Sequence, residues 1–527
     1  MNLEKTIIKG GIEMTKSRLS KGLALLALSA SVGWFAMPQA TAAENILTVG
    51  NPFGPISLDP ALSGNGRAGT WLLPTYEPLV RTRADGSLAP ALATKWEVSD
   101  DAKSVTFDLR TNAKFSNGEP VNAAAIKKSI EYFVNKKGLF SANLAALSSI
   151  EVLSDSKVKL NLSSPNPAIV SLFDQNWNAG AIICPELIDD SERLKQESCG
   201  AGPYVMDPSA SVSGKSYTYL PNKNYYDQSK IYWDKIKISV FIDQNSGIQA
   251  LKAGQLKLLV SDPFTGNANK NSLGPDIRIV SSPLQWAGLV LTDRGGEVNK
   301  ALADIRVRKA LNMGVDRDLV AKAMFGDLAY GTDQIQVKGF DGYDPENEKM
   351  YPFDVERAKA LLKEAGYGDG LTIKATYVSN TLNDALFQAY ASQLSQIGVT
   401  LVADPKQGFG GLTKARLARK VETLLFNTNS GVPDLAKFQT LAPTGSLNGY
   451  GTVDDELTKL IDAASATTDP SVRKQAWKEV YHRVMDLAWF MPVLAINATY
   501  FATSDIETPE IGQSIVLDLA WVKPAKK

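Results

Sequence analysis

From Ile46 to Thr503, strand-type and helix-type patterns alternate with no internal repeat, no low-complexity stretch and no long flexible linker. That alternation restricts the fold more than any other feature, because it calls for α/β layers. A chain of 527 residues also exceeds what one hydrophobic core supports, so the layers belong to more than one lobe. Ile46-Leu47-Thr48-Val49 reads as a strand ending in a Pro/Gly-rich loop, Asn51-Pro52-Phe53-Gly54-Pro55. A helix-like stretch runs from Trp71 to Leu79, followed by a turn at Asp85-Gly86. Ser104 to Leu109 alternates polar and apolar residues with Val105, Phe107 and Leu109 on one side, the period of a half-buried strand. Asn122 is placed to cap a helix carrying Ala125, Ile126, Ile130 and Phe133 at helical spacing.

The same reading gives a strand pair around Ser154-Asp155-Ser156 and strands at Tyr217–Leu220 and Ile236–Phe241. Ser246–Ala253 reads as a helix stopped by Gly254. Asp304 opens another helix through Leu311, and Asp354 caps one with Ala358, Leu361, Leu362 and Ala365 inward and Gly366 at its end. Leu382–Ile397 reads as a long helix stopped by Gly398, with a strand at Val399–Val402. Helix Ser471–Leu487 and a strand around Ala495–Thr503 close the chain.

The N-terminus has a separate logic. Lys16, Arg18 and Lys21 precede an apolar run from Leu23 through Met37, which Pro38 breaks before the small residues Ala40-Thr41-Ala42-Ala43. This is the order of a secretory signal, expected over residues 1–43, with Met14 as an alternative start. The apolar run is about 15 residues against the about 20 of a membrane span, and a retained anchor is the alternative. No cysteine stands at the cleavage site to take a lipid. Cys184 and Cys199 would close a loop of about 16 residues, and an oxidising compartment would favour a disulfide, with two unrelated buried thiols as the other reading. Lys+Arg and Asp+Glu are each 56, so no net field draws the chain to nucleic acid or a membrane surface.

Catalytic signals are weak. His482 is the single histidine and lies in a helix beside Tyr481 and Arg483, and no GxSxG occurs. One histidine and two spaced cysteines make no zinc set. Ser213-Gly214-Lys215-Ser216 has the end of a phosphate loop but Ser209 where glycine is needed, and Gly408-Phe409-Gly410-Gly411 lacks the last glycine of a dinucleotide fingerprint. No catalytic residue, metal site or cofactor is expected.

Ordered short stretches carry a family resemblance. They are Leu58-Asp59-Pro60, Tyr76-Glu77-Pro78-Leu79-Val80, Asp85-Gly86-Ser87-Leu88-Ala89-Pro90-Ala91-Leu92-Ala93 and Phe115-Ser116-Asn117-Gly118-Glu119-Pro120. Gly200-Ala201-Gly202-Pro203-Tyr204, Ile305-Arg306-Val307-Arg308-Lys309-Ala310-Leu311 and Ala358–Tyr367 continue the series. Together they resemble the extracellular solute-binding proteins of the peptide/nickel type, family 5. The resemblance implies an α/β, two-lobed periplasmic-binding-protein clamp (type II, cluster C) with an extra subdomain in lobe I. Lobe I would be 44–88, 200–285 and 498–527, the extra subdomain 89–199 and lobe II 286–497. It implies a monomer in the periplasm that captures a peptide without chemistry and hands it to an ABC permease with its ATPase subunits. An opine, an oligosaccharide or a metal chelate is the alternative ligand, and a sensor or chaperone without import the alternative role. No nucleic-acid partner and no stable membrane insertion are expected.

In peptide-binding relatives the cleft segment commonly reads Trp-x-x-Asp-x-x-Asp-Pro-Asp, and its carboxylate meets the ligand ammonium. Here the segment is Asn427-Thr428-Asn429-Ser430-Gly431-Val432-Pro433-Asp434, with Val432 in place of an acid and Asn427 in place of the aromatic. Asp434 is the remaining acid, either a ligand anchor or a helix cap. Pro55, Trp71, Tyr76, Trp286, Asn427, Asn429, Ser430 and Asp434 are the candidate ligand contacts. Arg416 and Arg419, just upstream, read as solvent-exposed, and Arg306 and Arg308 as partners of surface acids.

Overall fold

The computed structural model describes residues 44–526, apart from positions 56, 64–68, 139, 434–436, 438, 439, 444, 446 and 514–516. The expected signal segment lies outside the described residues. Strand β1 (Ile46–Asn51) is followed by a hairpin of β2 (Val80–Thr82) and β3 (Leu88–Pro90). Strands β4 (Ala93–Val98), β5 (Ser104–Leu109), β6 (Leu147–Ser154) and β7 (Lys157–Leu162) form a four-stranded antiparallel sheet, ordered β4-β5-β7-β6. Then come β8 (Tyr204–Met206), β9 (Ser216–Pro221), β10 (Lys235–Val240), β11 (Leu258–Ser261) and β12 (Ile277–Val290). Next are β13 (Ala329–Gly331), β14 (Leu371–Val378), β15 (Val399–Lys406), β16 (Thr423–Asn429) and β17 (Phe490–Thr503), and a short pair, β18 (Ile506–Glu507) with β19 (Lys523–Pro524).

One 11-stranded sheet runs β15-β14-β16-β12-β17-β11-β1-β10-β9-β8, with β13 pairing to β17 off that path. Its spine is β12 and β17, each 14 residues long and paired antiparallel from Ile277↔Thr503 to Val290↔Phe490. The early part of β12 and the late part of β17 belong with β11, β1 and β10. The other ends belong with β16 and β14. The pairing register shifts between Pro283 and Gln285, where a proline cannot donate to the ladder.

Each half of the sheet has its own packed faces. In the second half Ala287, Leu289, Leu425 and Val493 meet helices Ile305–Met313, Arg317–Phe325, Val355–Glu364 and Thr381–Ser395. The opposite face, with Trp286, Val290, Leu424 and Phe490, meets Gly408–Leu417, Asp455–Ala466 and Pro470–Asp486. In the first half Leu47, Val49, Ile236, Ile238 and Leu258 build one core. The segment from Ala61 to Ala201 builds another, in which helix Ala123–Asn135 covers the four-stranded sheet.

Local chemistry sets the ends of these elements. Asn122 accepts from Ala125 N, Asp304 from Arg306 N and Asp354 from Arg357 N, each satisfying a donor the first helical turn leaves open. Gly366 and Gly398 close their helices at φ 88° and 82°, a region closed to most side chains. The stretch expected to be helical from Trp71 to Leu79 is helical only over Gly69–Leu72, because Pro74 and Pro78 follow. Arg306 pairs with Asp304 at the surface at 2.6 Å, as expected. Arg308 departs from expectation: it is buried, and its guanidinium donates to the carbonyl oxygens of Leu302, Ala303 and Leu487.

Two buried ionic groups tie distant segments. Arg81 bonds Glu77 at 2.9 Å and Asp518 at 2.5 Å, and Glu77 also accepts from Tyr226 OH, so the C-terminal segment is held to the first half. Arg317 bonds Asp333 at 2.7 Å and donates to the carbonyl oxygens of Asn312 and Pro492. Cys184 and Cys199 are joined by a disulfide with Cα atoms 5.5 Å apart, just before the Gly200-Ala201-Gly202 run that packs on Thr75. Replacing both cysteines by serine is expected to lower the unfolding free energy by about 3 kcal/mol through the freed unfolded chain. Chemical denaturation of oxidised parent and variant measures this, and superimposable curves would contradict it.

Candidate ligand-binding site

Strand direction locates the site. β11 runs parallel to β1 and ends at Ser261 opposite Thr499, and β1 and β10 end level with one another at Asn51 and Val240. In the second half β16 ends at Asn429 opposite Gln285, and β14 and β15 run parallel to it, ending level at Val378 and Lys406. Six carboxyl ends, three from each half, therefore aim at one place, where β12 and β17 cross between the halves at Pro283–Gln285 and Ile496–Thr499. Crevices outside the carboxyl ends of strands are where open α/β sheets take ligands, because the chain turns away there and leaves backbone groups uncovered.

The loop after β1 lies at this place, with Pro55 half-buried and Asn51 accepting from Phe53 N at 3.0 Å. Asn427, Thr428 and Asn429 are half-buried at the end of β16. Asn429 accepts from the Gln285 amide at 2.7 Å, so these two amides present a shared edge. Ser430 is buried, and its hydroxyl is committed, accepting from Val337 N at 3.1 Å and donating to Ile335 O at 3.3 Å. Asp434 lies outside the described residues.

The aromatic candidates pack in cores. Trp71 is 2% exposed and meets Tyr217 edge-on at 5.1 Å, and Tyr76 is 1% exposed within the Ala61–Ala201 core. Trp286 is 1% exposed and meets Phe490 edge-on at 5.6 Å. Arg416 is half-buried rather than exposed, and its Nε is buried without a hydrogen-bond partner. Arg419 is exposed and pairs with Glu297 at 2.7 Å.

Sequence reasoning passed over Gln285, Gln336 and Asn497, and noted Val432 only as standing in place of an acid. Val432 is half-buried against the Ala61–Ala201 core, so the end of the second half touches the first across this place. Gln336 holds Gly431 O and the Tyr481 hydroxyl through its nitrogen, while its oxygen and that of Asn497 are buried without partners. Gln285, Gln336 and Asn497 have no signal in the sequence, because register and a loop contact bring them here.

The charged groups at the carboxyl ends are engaged. Asp243 and Asp262 cap the helices that follow β10 and β11, and Lys406 pairs with Asp404 at 2.5 Å. Deeper in the Ala61–Ala201 core, burial pushes the Asp174 carboxyl up to about 6, against the opposing pull of donors from Thr82 and Asn176. Among the described residues no three His, Cys, Asp or Glu side chains converge as metal ligands. No helix among them is long and apolar enough to cross a membrane.

The model of the bacterial extracellular solute-binding proteins, family 5 Middle, matches residues 87–447. The nickel-binding periplasmic protein of Escherichia coli K12 is 25% identical over 471 residues, covering 83% of this chain and 86% of that one. The glutathione-binding protein GsiB of Salmonella typhimurium is 27% identical over 401 residues, 73% of each chain. Among solved structures, NikA from Brucella suis with Fe(III)-EDTA has a TM-score of 0.78 at 22% identity, covering 91% of this chain and all of that one. The periplasmic binding protein DppA from Helicobacter pylori with peptide STSA has a TM-score of 0.76 at 20% identity, covering 92% of this chain and 99% of that one. These likenesses establish the two-lobed type II periplasmic-binding-protein fold.

Two outcomes are expected from the geometry. Trp286→Ala should cost about 3–5 kcal/mol of stability, the range for emptying a buried aromatic site, as read by denaturant unfolding; a loss under 1 kcal/mol, roughly the level of a surface change, would contradict its core role. For Asp174 the folded carboxyl binds its proton more tightly than the unfolded one, so the unfolded chain loses that proton first as pH rises. Stability from this group is therefore full below about pH 4 and falls by up to about 3 kcal/mol by about pH 6. Asp174→Asn should flatten that part of the stability–pH curve relative to the parent, and parallel curves would refute the assignment.

Proposed function

The chain belongs to the bacterial extracellular solute-binding proteins of family 5, and from that premise we propose that it is the periplasmic substrate-binding component of an ABC import system. It takes a peptide reversibly between two lobes, performs no chemistry on it and delivers it to a membrane permease served by ATPase subunits. One observation carries the reading: the carboxyl ends of parallel strands from both halves meet where β12 and β17 pass between them. Such an arrangement opens and closes about the crossing, and a ligand shifts it only by binding the closed form better than the open one. Relatives and structural neighbours named for nickel, glutathione and peptide binding, and one neighbour described as ABC transporter-associated, support transport as the role.

In this reading lobe I is 44–88, 200–285 and 498–527, with 89–199 as its extra subdomain, and lobe II is 286–497. Residues 1–43 are removed on export and the mature chain works as a monomer. Ligand contacts come from the loop ending at Pro55, from Asn427 and Asn429 with Gln285, from the backbone beyond Ser430 and from Asp434. Trp71, Tyr76 and Trp286 support the walls through packing.

A second reading is favoured by the rim itself. The described acids and lysine at the strand ends are engaged as caps or ion pairs, while amides remain. That suits a ligand held mainly through hydrogen bonds, such as an oligosaccharide or an opine. An opine neighbour, the protein AgaA with agropinic acid from A. tumefaciens R10, has a TM-score of 0.75 at 24% identity, covering 92% of this chain and 99% of that one. A metal would have to arrive inside a chelate that brings its own donors.

A thermal-shift screen of the mature protein against di- and oligopeptides, opines, oligosaccharides and nickel chelates tests both. A true ligand at about 100 times its Kd adds about 2.7 kcal/mol of stability. Stabilisation by peptides alone supports the first reading. Stabilisation by a saccharide or opine with none from peptides overturns it in favour of the second, and turnover of a screened compound overturns both.

A further inference from the structure

After β18 the chain returns to the crossing and lies against both halves of the sheet at once. Gly512 packs on the β2–β3 turn: a Cβ there, at φ 52°, would fall 2.2 Å from Ala84 Cα and O. Gln513 N donates to Ala84 O at 3.2 Å, and the Gln513 side chain crosses over Gly86, where an added Cβ would sit 2.5 Å from its amide. Ser282, on β12 one residue before the proline, donates to Gly512 O at 3.2 Å. From this seat the Gln513 amide nitrogen donates to Gly339 O, on the loop that follows β13 in the other half. That loop is fixed in turn to the end of β16, through Val337 N to the Ser430 hydroxyl and through Gln336 to Gly431 O. The next residue, Val432, packs against the Ala61–Ala201 core.

We propose that Gln513 is a positioning residue for closure, a strap from the β2–β3 turn to the Gly339 loop that sets how far the second half swings from the first. The strap reaches the cleft rim through the Gly339 loop and touches no ligand. Its hydrogen bond is made only where Gly339 lies within reach of the turn, so it favours the arrangement in which Val432 also meets the first half. The two glycines seat it by their lack of side chains, since a Cβ at either would displace the strap. The idea rests on the clamp reading above for its biological use, but neither its contacts nor its test involves a ligand.

Cys184 and Cys199 are bonded to each other and are the only cysteines, so spin labels can be placed on introduced ones. Lys95→Cys in the four-stranded sheet and Lys414→Cys in helix Gly408–Leu417 are both exposed positions. In the ligand-free mature protein, Gln513→Ala is expected to raise the population of the longer inter-label distance about two- to tenfold, the range that one net hydrogen bond commands. Gln513→Glu, which keeps the length of the side chain and removes its donor, should do the same. Melting of both variants should stay close to the parent. Distance distributions identical to the parent in both variants overturn the proposal, and so does global unfolding of both, because a positioning contact leaves the fold intact. Failure of every screened ligand to bind would discredit the transport reading while leaving this result standing.

Discussion

Everything in this molecule is hung on the antiparallel pairing of β12 with β17. Both strands are 14 residues long and stay paired from one end of the sheet to the other, so the two halves share a ladder. Each half then adds its own parallel strands to the outside, and the direction of those strands is dictated by the pair: β16 antiparallel to β12, β11 antiparallel to β17. Because β12 and β17 run in opposite directions through the crossing, the outer strands of both halves end facing it. The cleft follows from the pairing and needs no special residue to create it.

The pairing also limits how the halves move. A ladder that breaks at the crossing would leave backbone donors and acceptors unpaired, at a cost comparable to lost hydrogen bonds. Here the register shift at Pro283/Gln285 removes regular pairing where bending is needed, and a proline has no donor to lose. A second register shift stands between Ala287 and Gly288, so the irregular pairing spans a few residues at the edge of the second half. The buried ionic groups sit away from this point. Arg317 and Asp333 brace the second half, and Arg81 with Glu77 and Asp518 braces the first, so each half has its own internal ties.

How much of this could be read from the chain depended on which faces the strands bury. β5 was legible because Val105, Phe107 and Leu109 alternate with exposed-side residues, and the helices after Asp354 and before Gly366 and Gly398 were legible from caps and stops. The full length of β12, and β14 and β16 altogether, escaped that reading. In Thr423-Leu424-Leu425 consecutive residues are buried because helices cover both faces, and a strand of that kind shows no period of two. For the site, Asn427 and Asn429 were nameable from the family pattern. Gln285 was not, since only the register of β12 on β16 sets it beside Asn429. Trp71, Tyr76 and Trp286 drew notice as large aromatics near the cleft, but size is also what makes such residues fill cores, and all three are buried.

The energetics of closure follow from the same contacts. Closing the halves gains little from the spine, whose hydrogen bonds exist in either arrangement. The contacts that join the halves beside the spine are an apolar contact at Val432, an amide hydrogen bond from Gln513 to Gly339, and the packing of Phe264 edge-on against Phe325, next to which Asn267 Nδ2 donates to Met324 O and Lys270 lies 4.0 Å from Asp327. A ligand moves the clamp toward closure only by the extra contacts it makes in the closed form, which makes closure report on occupancy. A large apolar seam or a buried ion pair across the crossing would hold the molecule shut regardless of cargo. The engaged charges at the rim, with Asp243, Asp262 and Lys406 turned to caps and pairs, keep the two edges from attracting or repelling one another strongly. The amides left at the rim then act on whatever enters more than on each other.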